Sequence, residues 1–240
     1  MKQHGGEAQL LSGGTDLLPR MRRRKSVPGV IVDLNGIPEL SFIEMRGNEL
    51  HIGAGTRLTE LHESRLVKEW AGALAAAIRL MASPGIRNRA TIGGNLCNGS
   101  KCADTPPPLL VLDATVTLRG PDGERVVPLS EFFTGRAKAL PGCGKTVMRS
   151  DEILTEVMIP CKQGSSTFLK LGRRKGSSVS IASVAAFAAI TNGTFEDVRV
   201  AVSAVAWTPV RGRKVETALK GMPVSEENIA RASALIREEI

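Results

Sequence analysis

The chain has 240 residues, 42% hydrophobic and 23% charged, with 32 Lys and Arg against 24 Asp and Glu for a formal charge of +8. That balance supports a buried core and excludes wholesale disorder, and no apolar run reaches the roughly 18 residues of a membrane span. The basic excess favours anionic partners, but aromatic residues make up only 3%, Tyr is absent, and no helix-turn-helix or zinc-finger spacing points to nucleic acid.

The N-terminus lacks the apolar stretch of a secretory signal, so a cytoplasmic location is expected. Ala8–Leu11 reads as a short strand running into Ser12-Gly13-Gly14-Thr15-Asp16. A short helix then begins near Leu17, with Thr15 or Asp16 as cap and Pro19 in its first turn. The run Arg20-Met21-Arg22-Arg23-Arg24-Lys25 suits a solvated helix end, where cations complement the dipole. Val30–Leu34 suits a buried strand, with parallel pairing to the first as the expectation. Phe42–Met45 and Leu50–Ile52 flank a hairpin turn. Leu66–Met81 predicts one helix, stopped by Ser83-Pro84-Gly85. A second glycine turn follows at Ala90-Thr91-Ile92-Gly93-Gly94-Asn95, and Pro106-Pro107-Pro108 is expected to break the chain before Leu109–Asp113. A hairpin is predicted about Pro121-Asp122-Gly123 and a strand over Ile153–Ile159. Beyond Pro160 the texture changes, placing a boundary between residues 1–160 and 161–240. Gln163-Gly164-Ser165-Ser166 has linker composition; strands are expected over Ser180–Thr191 and Val198–Val205. Helices are expected over Thr208–Leu219 and after a Ser225 cap, the latter with Ile229, Ala232 and Ile236 on one face.

The two Gly-Gly turns carry most of the chemistry. Backbone N–H groups without shielding side chains converge on anions, and nearby hydroxyls donate to phosphate oxygens. Two such turns suggest a diphosphate gripped from both sides. No G-x-G-x-x-G opens a helix, and Gly144-Lys145-Thr146 has Ala139 where a P-loop requires glycine, so neither nucleotide fingerprint applies. Of Cys97, Cys102, Cys143 and Cys161, only the first two are close in sequence. One C-x4-C pair reads as small buried or loop thiols rather than a metal site. His4, His51 and His62 show no ligand or triad spacing.

Leu11-Ser12-Gly13-Gly14-Thr15-Asp16-Leu17-Leu18-Pro19 resembles the first FAD-pyrophosphate loop of molybdenum hydroxylase flavoprotein subunits. That family includes the medium subunit of aerobic carbon monoxide dehydrogenase and the FAD domain of xanthine dehydrogenase. Ile86–Asn98 resembles the second loop, and Ala103-Asp104-Thr105-Pro106-Pro107-Pro108-Leu109-Leu110 and Arg149-Ser150-Asp151-Glu152-Ile153-Leu154 continue the pattern in family order. The resemblance implies an α+β fold: a two-subdomain FAD-binding domain of the PCMH or vanillyl-alcohol-oxidase-like type, then a small α+β C-terminal domain. It implies that Ser12, Gly13, Gly14, Thr15, Asp16 and Leu17 cradle the pyrophosphate from one side. Thr91, Ile92, Gly93, Gly94 and Asn95 would do so from the other. Asp104 would accept hydrogen bonds from FAD hydroxyls, and Met148 joins the cofactor-binding set. Lys170, within Phe168-Leu169-Lys170-Leu171-Gly172-Arg173-Arg174, would lie near the flavin, where a cation stabilises a reduced ring. Phe168 stands where the family often has Tyr, and Ala137–Cys143 looks like an insertion. Against the family pattern, the chain starts after a first strand and helix and ends inside the C-terminal domain.

The function so implied is that of an oxidoreductase subunit without a catalytic side chain or metal of its own. Electrons from a molybdopterin-binding large subunit would cross [2Fe–2S] clusters on a small subunit, reach FAD here, and pass to NAD+, a quinone or dioxygen. Two other readings stay open: a truncated scaffold that has lost FAD, and a basic nucleic-acid binder using the Arg20–Lys25 run.

Overall fold

The computed structural model describes residues 7–135, 146–174 and 176–240. His4, Cys143, the Ala137–Cys143 insertion and Gly144-Lys145 lie outside the described residues.

The first unit forms as its sequence predicts. Strands β1 (Ala8–Leu11) and β2 (Val30–Asp33) pair in parallel, joined through helix α1 (Leu17–Arg22), whose last turn carries Arg20 and Arg22. Asp16 holds the cap position, but its side chain makes no cap hydrogen bond.

A five-stranded antiparallel sheet follows. It contains β3 (Ile43–Arg46), β4 (Glu49–Gly53), β5 (Thr115–Gly120), β6 (Gly123–Pro128) and β7 (Ile153–Pro160), in the order β3-β4-β7-β5-β6. The last strand in sequence is thus the central one.

The connections between these strands carry helices α2 (Leu58–Glu63), α3 (Arg65–Trp70), α4 (Gly72–Leu80), α5 (Pro84–Arg87), α6 (Ile92–Asn98), α7 (Pro106–Val111) and α8 (Leu129–Phe132), of which α4 and α7 pack against the C-terminal sheet. The single helix expected over residues 66–81 is two. It breaks at Ala71 (φ −135°, ψ 48°), before Gly72, and the Ala73 N–H of the new first turn donates to Ser166 Oγ at 3.0 Å. Ser83-Pro84 does more than stop a helix. Ser83 Oγ accepts from the Ile86 N–H and caps α5, with Pro84 at its first position. The Pro106–Pro108 run likewise opens α7 instead of breaking the chain. First-turn residues have no intrahelical acceptor for an N–H, so proline forfeits nothing there.

The C-terminal sheet is also antiparallel. It comprises β8 (Ser165–Gly172), β9 (Ser180–Thr191), β10 (Thr194–Ser203) and β11 (Val210–Arg211), ordered β11-β10-β9-β8. Half of the expected linker is therefore strand. Residues 208–212 are not helical either: Val210 pairs with Val202, and α9 runs from Arg213 to Leu219. Ser225 caps α10 (Glu226–Ser233) by accepting from the Asn228 N–H. Ala232 is buried while Ile229 is exposed, so the expected apolar face is only partly used.

One main core lies beneath both sheets. It joins Leu50, Ile52, Leu74, Ile78, Leu96, Leu109 and Phe132 to Phe168, Ala185, Phe187 and Ala201 of the C-terminal sheet. A smaller cluster of Phe195, Val198, Val215, Leu219 and Ala232 seats α9 and α10. Buried guanidinium groups fasten β10 and β11 to the end of α7. Arg199 donates to the Val111 carbonyl and Arg211 to that of Leu110, and both reach the Asp113 carboxylate, at 2.7 and 2.9 Å. Cations suit a helix C-terminus, and the shared carboxylate neutralises part of their charge.

Candidate cofactor-binding site

The two glycine turns meet. Gly13 lies so close to the chain before the second turn that a Cβ on it would sit 2.1 Å from the Arg89 carbonyl oxygen. Ser12 Oγ and Thr91 Oγ1 are hydrogen-bonded at 2.9 Å, and Gly14 takes φ +72°, a conformation that glycine adopts freely. Between and below the turns is a cleft of about 430 Å³, within the range of ligand sites.

Ser12, Gly13, Gly14, Thr15, Asp16 and Leu17 line this cleft, as do Thr91, Gly93, Gly94, Asn95 and Met148. Three predicted residues stand off it. Ile92 points into the core, fully buried. Asp104 and Lys170 pair with each other: Lys170 Nζ donates to Asp104 Oδ2 at 2.7 Å, and Ser180 Oγ to Oδ1 at 2.5 Å. Both charged side chains are buried. Their neighbour Thr105 reaches the cleft wall, donating to Asn95 Oδ1 at 2.6 Å.

The turns differ in how their amides are used. Among the described residues, the N–H groups of Ser12 through Leu17 donate to no protein acceptor. Those of Ile92 through Asn95 in the second turn are all committed. Ile92 donates to the Thr56 carbonyl, Gly93 to that of Ala54, Asn95 to that of Thr91, and Gly94 to Thr91 Oγ1. Gly93 is needed for packing, since its Cβ would fall 2.7 Å from Ala54 Cβ. The expectation of backbone amides converging from both sides thus has physical support at the first turn. At the second, the Thr91 N–H and the Asn95 side-chain amide, both on cleft-lining residues, are the donors without a protein acceptor among the described residues.

The remaining wall is the chain entering β7, including Thr146, Met148, Arg149 and Glu152. Cys97 Sγ lies 3.3 Å from Met148 Sδ. Burial pushes the Cys97 thiol up to about 12, so it stays protonated near neutral pH and is no nucleophile. Glu152 receives a two-pronged bond from Arg125, at 2.7 and 2.8 Å, and a further one from the Arg149 N–H. The guanidinium holds its carboxyl down to about 2.

Sequence reasoning missed Arg20 as a cleft residue, taking it as part of a solvated run. It lines the cleft, with Nη1 donating to Asn98 Oδ1 at 3.3 Å. The signal was present: Arg20 lies three residues after buried Leu17 and so shares its helix face. Cys97 and Thr105 carried no such signal. Among the described residues, no group of His, Cys, Asp and Glu is placed to hold a metal, and no helix is long and apolar enough to cross a membrane.

Comparison with known proteins fixes the family. Residues 1–162 match the family model described as the FAD binding domain in molybdopterin dehydrogenase, and residues 167–240 match the CO dehydrogenase flavoprotein C-terminal domain. The chain belongs to this FAD-binding family. The putative xanthine dehydrogenase FAD-binding subunit of Escherichia coli is 32% identical over 238 residues, covering 98% of this chain and 79% of that protein. The carbon monoxide dehydrogenase medium chain of Hydrogenophaga pseudoflava is 33% identical, covering 96% and 78%. A solved carbon monoxide dehydrogenase structure from the same organism superimposes with a TM-score of 0.91 at 33% identity, over 98% of this chain and 79% of that one. The expected α+β architecture, with a C-terminal domain following the FAD-binding domain, and the expected cofactor, FAD, hold for this flavoprotein. It belongs among the oxidoreductases.

Proposed function

We propose that this flavoprotein is the electron-transfer subunit of a molybdenum-containing hydroxylase or dehydrogenase. In this reading it takes electrons from [2Fe–2S] clusters on a small subunit, downstream of a molybdopterin-binding large subunit. It delivers them to an external acceptor such as NAD+ or a quinone, in a cytoplasmic complex. FAD supplies the one- and two-electron redox chemistry when bound.

The observation that carries the reading is the run of uncommitted amides at Ser12–Leu17 beside a second turn stapled to it by Ser12 and Thr91. Phosphate oxygens are the acceptors such a run fits. Thr91, Ile92, Gly93 and Gly94 fix the spacing of the two turns, and Asn95 and Met148 line the site. Asp104 and Lys170 stand behind the second turn, where Thr105 couples them to Asn95; we assign them to the flavin end. Residues 1–160 form the FAD-binding domain, and residues 161–240 the C-terminal domain that follows it. The protonated Cys97 thiol suits a protein whose task is to hold, orient and shield a cofactor.

Titration of the purified protein with FAD tests the reading. Absorption near 450 nm retained through gel filtration and quenched flavin fluorescence are expected. ADP should compete, because it carries the diphosphate, while riboflavin should not. A native complex free of flavin, or competition by riboflavin with none by ADP, overturns the proposal.

A further inference from the structure

The cleft wall ahead of β7 has little regular structure of its own. It leaves an isolated bridge between Phe133 and Thr146 and becomes strand only at Ile153. Between these points a ring of hydrogen bonds shapes it. Arg125, on β6 and outside the cleft lining, grips Glu152 through Nε and Nη2, and Nη2 also donates to the Val147 carbonyl at 3.0 Å. Glu152 accepts the Arg149 N–H at 2.8 Å, and its own N–H donates to the Arg149 carbonyl at 3.2 Å. One end of the segment is thus tied to the other through a guanidinium reaching from behind. Met148 and Arg149, which line the cleft, lie within the ring.

We infer that Arg125 is a positioning residue of the flavin site: through Glu152 and the Val147 carbonyl it sets the shape of the Val147–Glu152 wall, and with it the affinity and surroundings of bound FAD. This rests on the reading of the cleft given above. Arg125 need not touch the cofactor. Its planar fork matches a carboxylate with two parallel bonds, which an ammonium cannot reproduce. Removing it leaves a buried carboxylate without its counter-ion, so the segment must rearrange to hydrate Glu152.

The test compares wild type, R125A, R125K, E152Q and the R125A/E152Q double variant of the full chain. Each is titrated with FAD by fluorescence, its bound flavin is examined by visible circular dichroism, and the apo protein is melted. R125A should weaken FAD about tenfold and alter the flavin dichroism, with R125K restoring little. E152Q keeps an acceptor for the Arg149 N–H and should weaken FAD by a smaller factor. The double variant should bind no more weakly than R125A, because both changes break one ring. Variants that melt lower yet bind FAD with wild-type affinity and dichroism would overturn the inference and mark the pair as structural only. Should R125A fail to fold, E152Q decides by the same criteria. A wild type that takes up no FAD removes the reading of the cleft itself, whereas wild-type binding unchanged in every variant removes only the role of Arg125.

Discussion

At Ser12–Leu17 the backbone offers its N–H groups to no protein acceptor among the described residues, while at Ile92–Asn95 every one is spent on Ala54, Thr56 or Thr91. Both segments carry Gly-Gly flanked by a hydroxyl residue, yet the glycines serve different ends. Gly13 and Gly93 permit close approach of chain to chain, and Gly14 permits a left-handed turn. A Gly-Gly pair therefore marks where the backbone must come close to something. Whether that something is a ligand or the protein is decided by the fate of the neighbouring amides.

Substitutions at the two turns can break this comparison. The largest effect is expected at Gly13→Ala, whose Cβ would sit 2.1 Å from a backbone carbonyl oxygen. A rigid clash of that kind costs about 3 kcal/mol or more, read as a fallen melting temperature or insoluble protein. Thr91→Val comes next, because Thr91 Oγ1 both caps α6 and holds Ser12. Loss of a cap and a partly buried bond should cost about 1–2 kcal/mol and weaken FAD by loosening the first turn. Ser12→Ala breaks the staple alone and should cost about 0.5–1 kcal/mol. If Ser12→Ala destabilised the fold more than Thr91→Val, the assignment of the second turn as the scaffold would be reversed.

Acid sharpens the contrast from another side. Glu152, beside the cleft, has its carboxyl held from the ordinary 4.5 down to about 2, chiefly by the Arg125 hydrogen bonds, with Arg149 adding to the effect. A depressed carboxylate stabilises the fold above its unfolded value and loses that contribution as pH falls through the folded one. Stability should therefore drop between about pH 4.5 and 2, and E152Q should flatten that part of the profile. The smallest effect is at Cys97. With its thiol at about 12, it should react with iodoacetamide far more slowly than an ordinary exposed cysteine, and FAD should slow it further.

The sequence was legible where structure is local. The β1-α1-β2 unit, both early hairpins and the Ser225 cap follow from turn residues, alternation and capping within a few positions. It was misleading where a distant partner decides. The break at Ala71 accompanies a hydroxyl supplied by Ser166, which no periodicity within residues 66–81 contains. The prolines of α7 are tolerated because they occupy its first turn. The meeting of Asp104 with Lys170 depends on how β8 packs against the α6–α7 connection. The amide accounting at the second turn rests on the Ala54 and Thr56 carbonyls, more than thirty residues upstream.

The main core has a practical consequence. Phe168, Ala185, Phe187 and Ala201 of the C-terminal sheet share it with Leu50, Ile52 and Leu74 of the first half. Severing the chain near residue 163 would strip an apolar lid from α4 and α7, leaving two fragments with sticky surfaces. Swapping in the second half of a relative is therefore no plug-in exchange: such a chimaera must bring matching residues at this seam, or it will aggregate before any cofactor can be loaded.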